Sequence, residues 1–118
     1  MERSAHVDTF ARDNLPPFEQ WPELLLEGNP DVAYPARLNC AVELVDAHVN
    51  QGRGDRVALR WRDGDQKKTM TYKELMVLTN QIAQVLTDDM KLVPGNRVLL
   101  RGPNNPMMAA SWLAVVKA

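Results

Sequence analysis

Thr71-Tyr72-Lys73-Glu74-Leu75-Met76-Val77-Leu78-Thr79-Asn80-Gln81-Ile82-Ala83-Gln84-Val85-Leu86 is the stretch on which the fold turns. It opens with the pattern of a capping box. The Thr71 hydroxyl accepts the Glu74 amide hydrogen, and the Glu74 carboxylate takes the Thr71 amide in return. Leu75, Met76, Thr79, Ile82, Ala83 and Leu86 then fall on one face. Lys73, Asn80, Gln84 and Thr87 fall on the other. This is the period of an amphipathic helix, which needs a partner layer to cover its apolar side.

Immediately upstream, Val57-Ala58-Leu59-Arg60-Trp61 reads as a strand, Asp63-Gly64-Asp65 as a turn, and Lys67 to Met70 as a returning strand, giving a β-hairpin. Before it, Asn39 is placed to cap a helix from Cys40 to about Asn50, with Ala41, Leu44, Val45 and His48 at helical spacing. Gly52 and Gly54 end that helix. Downstream, Pro94-Gly95 makes a tight turn and Arg97-Val98-Leu99-Leu100-Arg101 reads as a third strand. Gly102-Pro103-Asn104 is a loop, and Asn105 caps a last helix with Pro106 at its first position.

The order β-α-β-α predicts an α/β fold with a β-hairpin, a parallel strand and packed helices. Residues 1–38 read differently. Pro16, Pro17, Pro22, Pro30 and Pro35 break any long helix, yet Phe18, Trp21, Leu24, Leu25 and Leu26 are too apolar for a free tail. They predict an arm packed on a larger body, with a short helix near Trp21–Glu27. The two units are thus residues 1–38, the arm, and residues 39–118, the first part of an α/β domain.

The last helix, Pro106 to Lys117, has almost no polar face: Met107, Met108, Ala109, Ala110, Trp112, Leu113, Ala114, Val115 and Val116 run round it. A helix apolar on all sides is buried on all sides, and 118 residues offer little to cover it. The reading is that neighbouring layers belong to it, from further polypeptide or from a second copy meeting it through Pro106 to Lys117.

Composition bounds what the chain does. With 45% hydrophobic and 25% charged residues it is an ordinary globular sequence. No apolar run approaches the roughly 20 residues of a spanning helix, and residues 1–10 lack the apolar stretch of a secretory signal. A cytoplasmic location and no membrane partner are the expectation. The net charge of −1 hides an asymmetry. Residues 1–52 hold three Lys or Arg against nine Asp or Glu, and residues 53–118 hold eleven against six. Half of the cations lie between Arg53 and Lys73. They are interleaved with Asp55, Asp63, Asp65 and Glu74, which favours a solvated hairpin over a phosphate-binding patch. A nucleic-acid surface needs a more one-sided stripe with stacking aromatics.

Each residue with chemical potential has a plainer structural reading. Cys40 is the single cysteine, which fits a reducing compartment. It precedes an apolar helical pattern, so a buried thiol is expected rather than a nucleophile. His48 has no second ligand at metal spacing and reads as a packed histidine. Asp88 and Asp89 diverge at a helix end and read as solvated surface rather than an acid/base pair. The Met and Trp residues of the last helix read as core rather than cavity lining. Ser4 and Ser111 lack a nucleophile-elbow context. There is no phosphate loop, no dinucleotide fingerprint and no zinc pattern. The chain therefore offers no catalytic, cofactor-binding or metal-ligating residue. One site-like feature remains, the loop Gly102-Pro103-Asn104-Asn105 after a strand end, where open α/β sheets bind ligands.

Taken together, Met70-Thr71-Tyr72-Lys73-Glu74-Leu75 resembles the first core motif of the adenylate-forming superfamily, Leu-[Thr/Ser]-Tyr-x-Glu-Leu, which acyl-CoA synthetases share with luciferases and peptide-synthetase adenylation domains. Gly54-Asp55-Arg56-Val57-Ala58-Leu59 is similar to that family's lead into its hairpin. Pro94-Gly95-Asn96-Arg97-Val98 and Pro103-Asn104-Asn105-Pro106 resemble its later turns, and Val116-Lys117-Ala118 resembles the start of its second core motif. In the arm, Phe10-Ala11-Arg12-Asp13-Asn14-Leu15-Pro16-Pro17, Gln20-Trp21-Pro22-Glu23-Leu24 and Tyr34-Pro35-Ala36-Arg37-Leu38-Asn39-Cys40-Ala41 look like benzoate-type aryl-CoA ligases, most of all the 2-aminobenzoate-CoA ligase group. Two positions depart from the pattern. Lys91 stands where the family often has the Gly of a left-handed helix end, and Asn96 replaces an Asp.

The resemblance implies the first part of the N-terminal domain of an ATP-dependent aryl- or acyl-CoA ligase, with ATP, Mg²⁺ and CoA used by the parent enzyme and none bound by this stretch. The family's phosphate-binding loop, its ribose- and Mg²⁺-binding acids, its acyl pocket and its C-terminal lysine domain have no counterpart here. The stretch alone is expected to be inactive, with the rest of the ligase as its partner. The alternatives are a stand-alone binding module built on the same scaffold, or a folding or dimerisation unit.

Overall fold

In a computed structural model of the chain, residues 5–23, 25, 28–35 and 37–118 are described. Residues 40–53 wind as one helical stretch that includes two π-helical turns, Val42–Asp46 and Val49–Arg53. Asn39 starts it as expected, its side-chain oxygen accepting the Ala41 and Val42 amides at 3.1 and 3.3 Å. Gly52 ends it in the left-handed region, φ 73°.

Strands β1 (Val57–Asp63) and β2 (Gln66–Thr71) form the antiparallel hairpin. Asp63 pairs with Gln66, so Gly64 and Asp65 are the two turn residues, and Gly64 takes φ 58°. A positive φ at this position matches the twist of the flanking strands. Val57 pairs with Thr71 but Leu59 pairs with Met70, leaving Ala58 as the extra residue of a bulge. Ala58 and Leu59, though consecutive, both pack against the core. Beyond them the alternation resumes: Trp61 is half-buried while Arg60 and Arg62 are exposed. The cations of this segment are thus mostly solvated, and Lys68 pairs with Asp63, in keeping with the plainer reading of the basic stretch.

Helix α1 (Tyr72–Gln84) follows directly and continues through a π-helical turn, Val85–Asp89. Helix α2 (Pro106–Lys117) packs across it. Ala41 and Val45 from the first helical stretch, Leu75 from α1, and Ala110 and Leu113 from α2 make the core, with Ile82, Met76 and Leu78 around them. The core is thin. The radius of gyration is 17.1 Å, against about 13.5 Å for a compact chain of this length.

Two expectations need correction. The strand expected over Arg97–Arg101 is unpaired; among the described residues the only sheet is the two-stranded hairpin, so there is no parallel pair. A strand exists only through a ladder partner, and here none lies alongside; Leu99 is 91% exposed. Cys40 is exposed rather than buried. It occupies the first helical position, and it is Ala41 and Val45, four apart on one face, that turn to the core. The last helix is as expected: these residues do not cover α2 all round. Ala110, Leu113 and Ala114 are buried, but Met107 and Trp112 stand 52% and 51% exposed.

None of the described residues in 5–38 is buried. The arm has a single helical turn, Phe10–Asp13, and 3-10 turns at Phe18–Gln20 and Pro30–Val32. The short helix expected at Trp21–Glu27 falls partly on residues 24, 26 and 27, outside the described residues. Phe18 and Trp21 make a local cluster, ring centroids 5.7 Å apart, with the indole N–H on the Pro16 carbonyl at 2.8 Å.

Candidate functional site

The motif residues singled out by resemblance are held by dense local bonding. At the start of α1 the Thr71 amide and hydroxyl both donate to Glu74 Oε2, at 2.7 and 2.9 Å, and the Glu74 amide donates to Thr71 Oγ1 at 3.2 Å. These donors, the backbone amide first, hold the Glu74 carboxyl below its ordinary value. One carboxylate oxygen, Oε2, thus takes both capping bonds. Tyr72 and Lys73 are pinned as well, donating their amides to the Arg56 and Gly54 carbonyls at 3.0 and 2.9 Å. The segment Gly54–Leu59 and the capping box thus form one bonded unit.

His48 lies against Tyr72, rings stacked at 4.2 Å and 21°. Its Nδ1 is buried with no hydrogen-bond partner, consistent with a packed ring. Asp88 and Asp89 are both exposed. Met107 and Trp112 face solvent rather than a cavity. Gly102-Pro103-Asn104-Asn105 is an exposed loop whose defined bond is the Asn105 side-chain oxygen accepting the Met108 amide at 3.0 Å, the cap of α2. Among the described residues no group of three or more His, Cys, Asp or Glu lies close enough to hold a metal.

Lys91 ends the α1 run in the left-handed conformation, φ 58°. The turn that the family makes with Gly is therefore made here with Lys. Its Nζ reaches the Asp88 carbonyl at 2.6 Å, and the Leu92 amide reaches back to Leu86 at 2.9 Å. The Asn96 side chain also keeps a structural role, taking the Val93 amide at 3.0 Å and donating to Asp8 at 2.8 Å.

Reading the sequence missed two long-range ties. Asn39 donates its side-chain amide to the Val116 and Lys117 carbonyls at 3.1 and 3.4 Å. Lys117 pairs with Asp46, both largely buried. Lys117 was legible as part of a motif, but nothing in the sequence links it to Asp46. Residues of both motif segments, Met70, Tyr72 and Leu75 of 70–75 and Val116 of 116–118, pack in or against one buried core.

A family profile described as AMP-binding enzyme matches residues 45–118, well over half of the chain. The chain belongs to the AMP-binding enzyme family. Among curated relatives of this AMP-binding chain, acetyl-coenzyme A synthetase of Mycobacterium bovis is 38% identical over 104 residues, covering 86% of this chain and 14% of that protein. Acetyl-coenzyme A synthetase of Streptomyces avermitilis is 33% identical over 103 residues, with the same coverage of 86% and 14%. That of Bacillus subtilis is 30% identical over 81 residues, 69% of this chain and 14% of that protein. This member of the family thus spans about one seventh of the length of the relatives it matches. No solved structure matches it. Among the described residues no helix is long and apolar enough to cross a membrane.

Proposed function

We propose that this chain is the opening section of the large N-terminal domain of an ATP-dependent acid–CoA ligase, and that it supplies scaffold and no turnover of its own. The observation that carries the reading is the family match over residues 45–118 in a chain that spans 14% of the matched relatives' length. It is supported by a motif carboxylate, Glu74, whose bonds serve to cap a helix. The parent reaction joins the substrate carboxylate to the α-phosphorus of ATP with release of diphosphate. The CoA thiol then attacks the acyl-adenylate carbonyl, releasing AMP. Mg²⁺ and fixed donors stabilise the charge that develops at phosphorus and at the carbonyl; those groups belong to the remainder of the ligase, which we take as this section's partner. A cytoplasmic location fits ATP and CoA as co-substrates.

For the acid, the arm segments 10–17, 20–24 and 34–41 support an aromatic substrate of the benzoate or 2-aminobenzoate class. The names of the relatives favour a second reading, acetate. The test is AMP release by the full reading frame with ATP, Mg²⁺, CoA and each of benzoate, 2-aminobenzoate and acetate, beside residues 1–118 alone. AMP release with an aromatic acid supports the first reading. Release with acetate only replaces it with the second, and release with no acid removes the ligase. Turnover by residues 1–118 alone overturns the scaffold role.

The half-exposed side of α2 with Met107 and Trp112 is the surface we assign to the remaining polypeptide. A dimer of residues 1–118 that Trp112→Lys dissociates assigns it instead to a second copy.

A further inference from the structure

Every described hydrogen bond and ion pair tying residues 7–38 to the rest of the chain lands on a single turn, residues 94–97. The Val7 and Asp8 amides both donate to the Pro94 carbonyl, at 2.8 and 3.0 Å. The Asp8 carboxylate takes the Phe10 amide at 2.9 Å and the Asn96 side-chain amide at 2.8 Å, and faces the Arg97 guanidinium at 3.6 Å. That guanidinium lies 4.1 Å over the Phe10 ring. The turn is shaped to receive the arm. Gly95 has φ 97°, and a Cβ there would stand 2.0 Å from the Asp8 carbonyl oxygen. The grip is polar and local, and among the described residues of the arm none is buried: Val7, Phe10 and Phe18 are 69%, 54% and 77% exposed.

Behind the gripped segment lies a groove of about 620 Å³. Ala5, Ala11 and Leu38 of the arm line it together with Cys40, Leu92 and Val116. We propose that residues 5–11 are a detachable strap: they close this groove as one unit, held by the turn 94–97 and keyed by Asp8, and they release without unfolding the helices beneath. Three features favour release as a unit. Asn96, Arg97 and the Phe10 amide all converge on one carboxylate. None of the described residues of the arm belongs to the buried core. Segments with few buried apolar contacts open independently of the global transition.

The test is amide hydrogen exchange, followed by mass spectrometry, on residues 1–118 and on the full reading frame. Peptides covering 5–14, 72–84 and 106–117 are compared in the parent sequence and in Asp8→Ala, Arg97→Ala, the double variant, and Asp13→Asn as a control within the arm. Asp8→Ala is expected to speed exchange at 5–14 on the order of tenfold, the size of losing bonds to a charged group, with 72–84 and 106–117 unchanged. The double variant should exchange no faster than the stronger single one, and Asp13→Asn should leave 5–14 protected. Unchanged exchange at 5–14 in both Asp8→Ala and Arg97→Ala overturns the strap. So does faster exchange at 72–84 and 106–117 in step with 5–14, because the arm would then be part of the global fold.

Discussion

Asn39 and Val116 join two helix ends through one side chain. The Asn39 oxygen accepts amides at the start of the 40–53 helix, while its nitrogen donates to the Val116 carbonyl at the end of α2, 77 positions away. An asparagine suits both tasks because its amide carries an acceptor and two donors. Asn39→Ala removes the cap, worth about 1 kcal/mol, and a bond of similar size at α2. We expect a loss of about 2 kcal/mol in urea unfolding. Asn39→Asp keeps the acceptor and loses the donor, so it should fall between the two.

Thr79 is 1% exposed, and its hydroxyl has no hydrogen-bond partner. An unmet buried polar group costs about 1–3 kcal/mol. Thr79→Val keeps the shape and removes the cost, so it should raise the urea midpoint with an unchanged slope, by about 1 kcal/mol. Thr79→Ala should not, since it also leaves a void.

Lys91 sits at φ 58°. The left-handed region costs a side-chain-bearing residue about 1–2 kcal/mol, part of which glycine returns as chain entropy in the unfolded state. Lys91→Gly is therefore expected to stabilise by about 0.5–1 kcal/mol in thermal unfolding, despite losing the Nζ bond to Asp88. Lys91→Ala keeps the strain and should give no gain.

The capping box makes α1 sensitive to acid. The Thr71 amide and hydroxyl lower the folded-state pKa of Glu74 below its unfolded value of 4.5. A lowered carboxylate contributes stability that is complete above the unfolded value and is lost as pH falls through the folded one. Unfolding followed from pH 6 to pH 2 should show this slope in the parent sequence. It should be reduced in Glu74→Gln, the remaining slope belonging to groups such as Asp63 in the hairpin, whose carboxyl Lys68 also lowers.

What could be read from the sequence was what is decided within a few residues. Thr71 and Glu74 meet across one helical turn, Asn105 and Pro106 specify a helix start between them, and Gly64 marks a turn that only a positive φ completes. The features that escaped depend on distant partners. Arg97–Arg101 has strand composition but no ladder to join. Cys40 is exposed because the helix phase turns its neighbour Ala41 inward, and one residue of phase is below what periodicity resolves. Asp8 meets Asn96 across 88 positions with no sign in either neighbourhood. The candidate site was legible only as motifs. Resemblance pointed to 70–75 and 116–118, but the pairing of Lys117 with Asp46 came only with the structure.

The bulge at Ala58 has a consequence for how this family varies. Because two successive side chains already point inward there, the hairpin holds a spare residue at its entrance. A one-residue deletion at Val57 or Ala58 can be absorbed into regular pairing, leaving Trp61 inward and the Arg60–Arg62 side in water. The same deletion inside Arg60–Arg62 has no such slack and would exchange the two faces. Length polymorphism among homologues should therefore collect at Val57 and Ala58 and be depleted beyond Leu59.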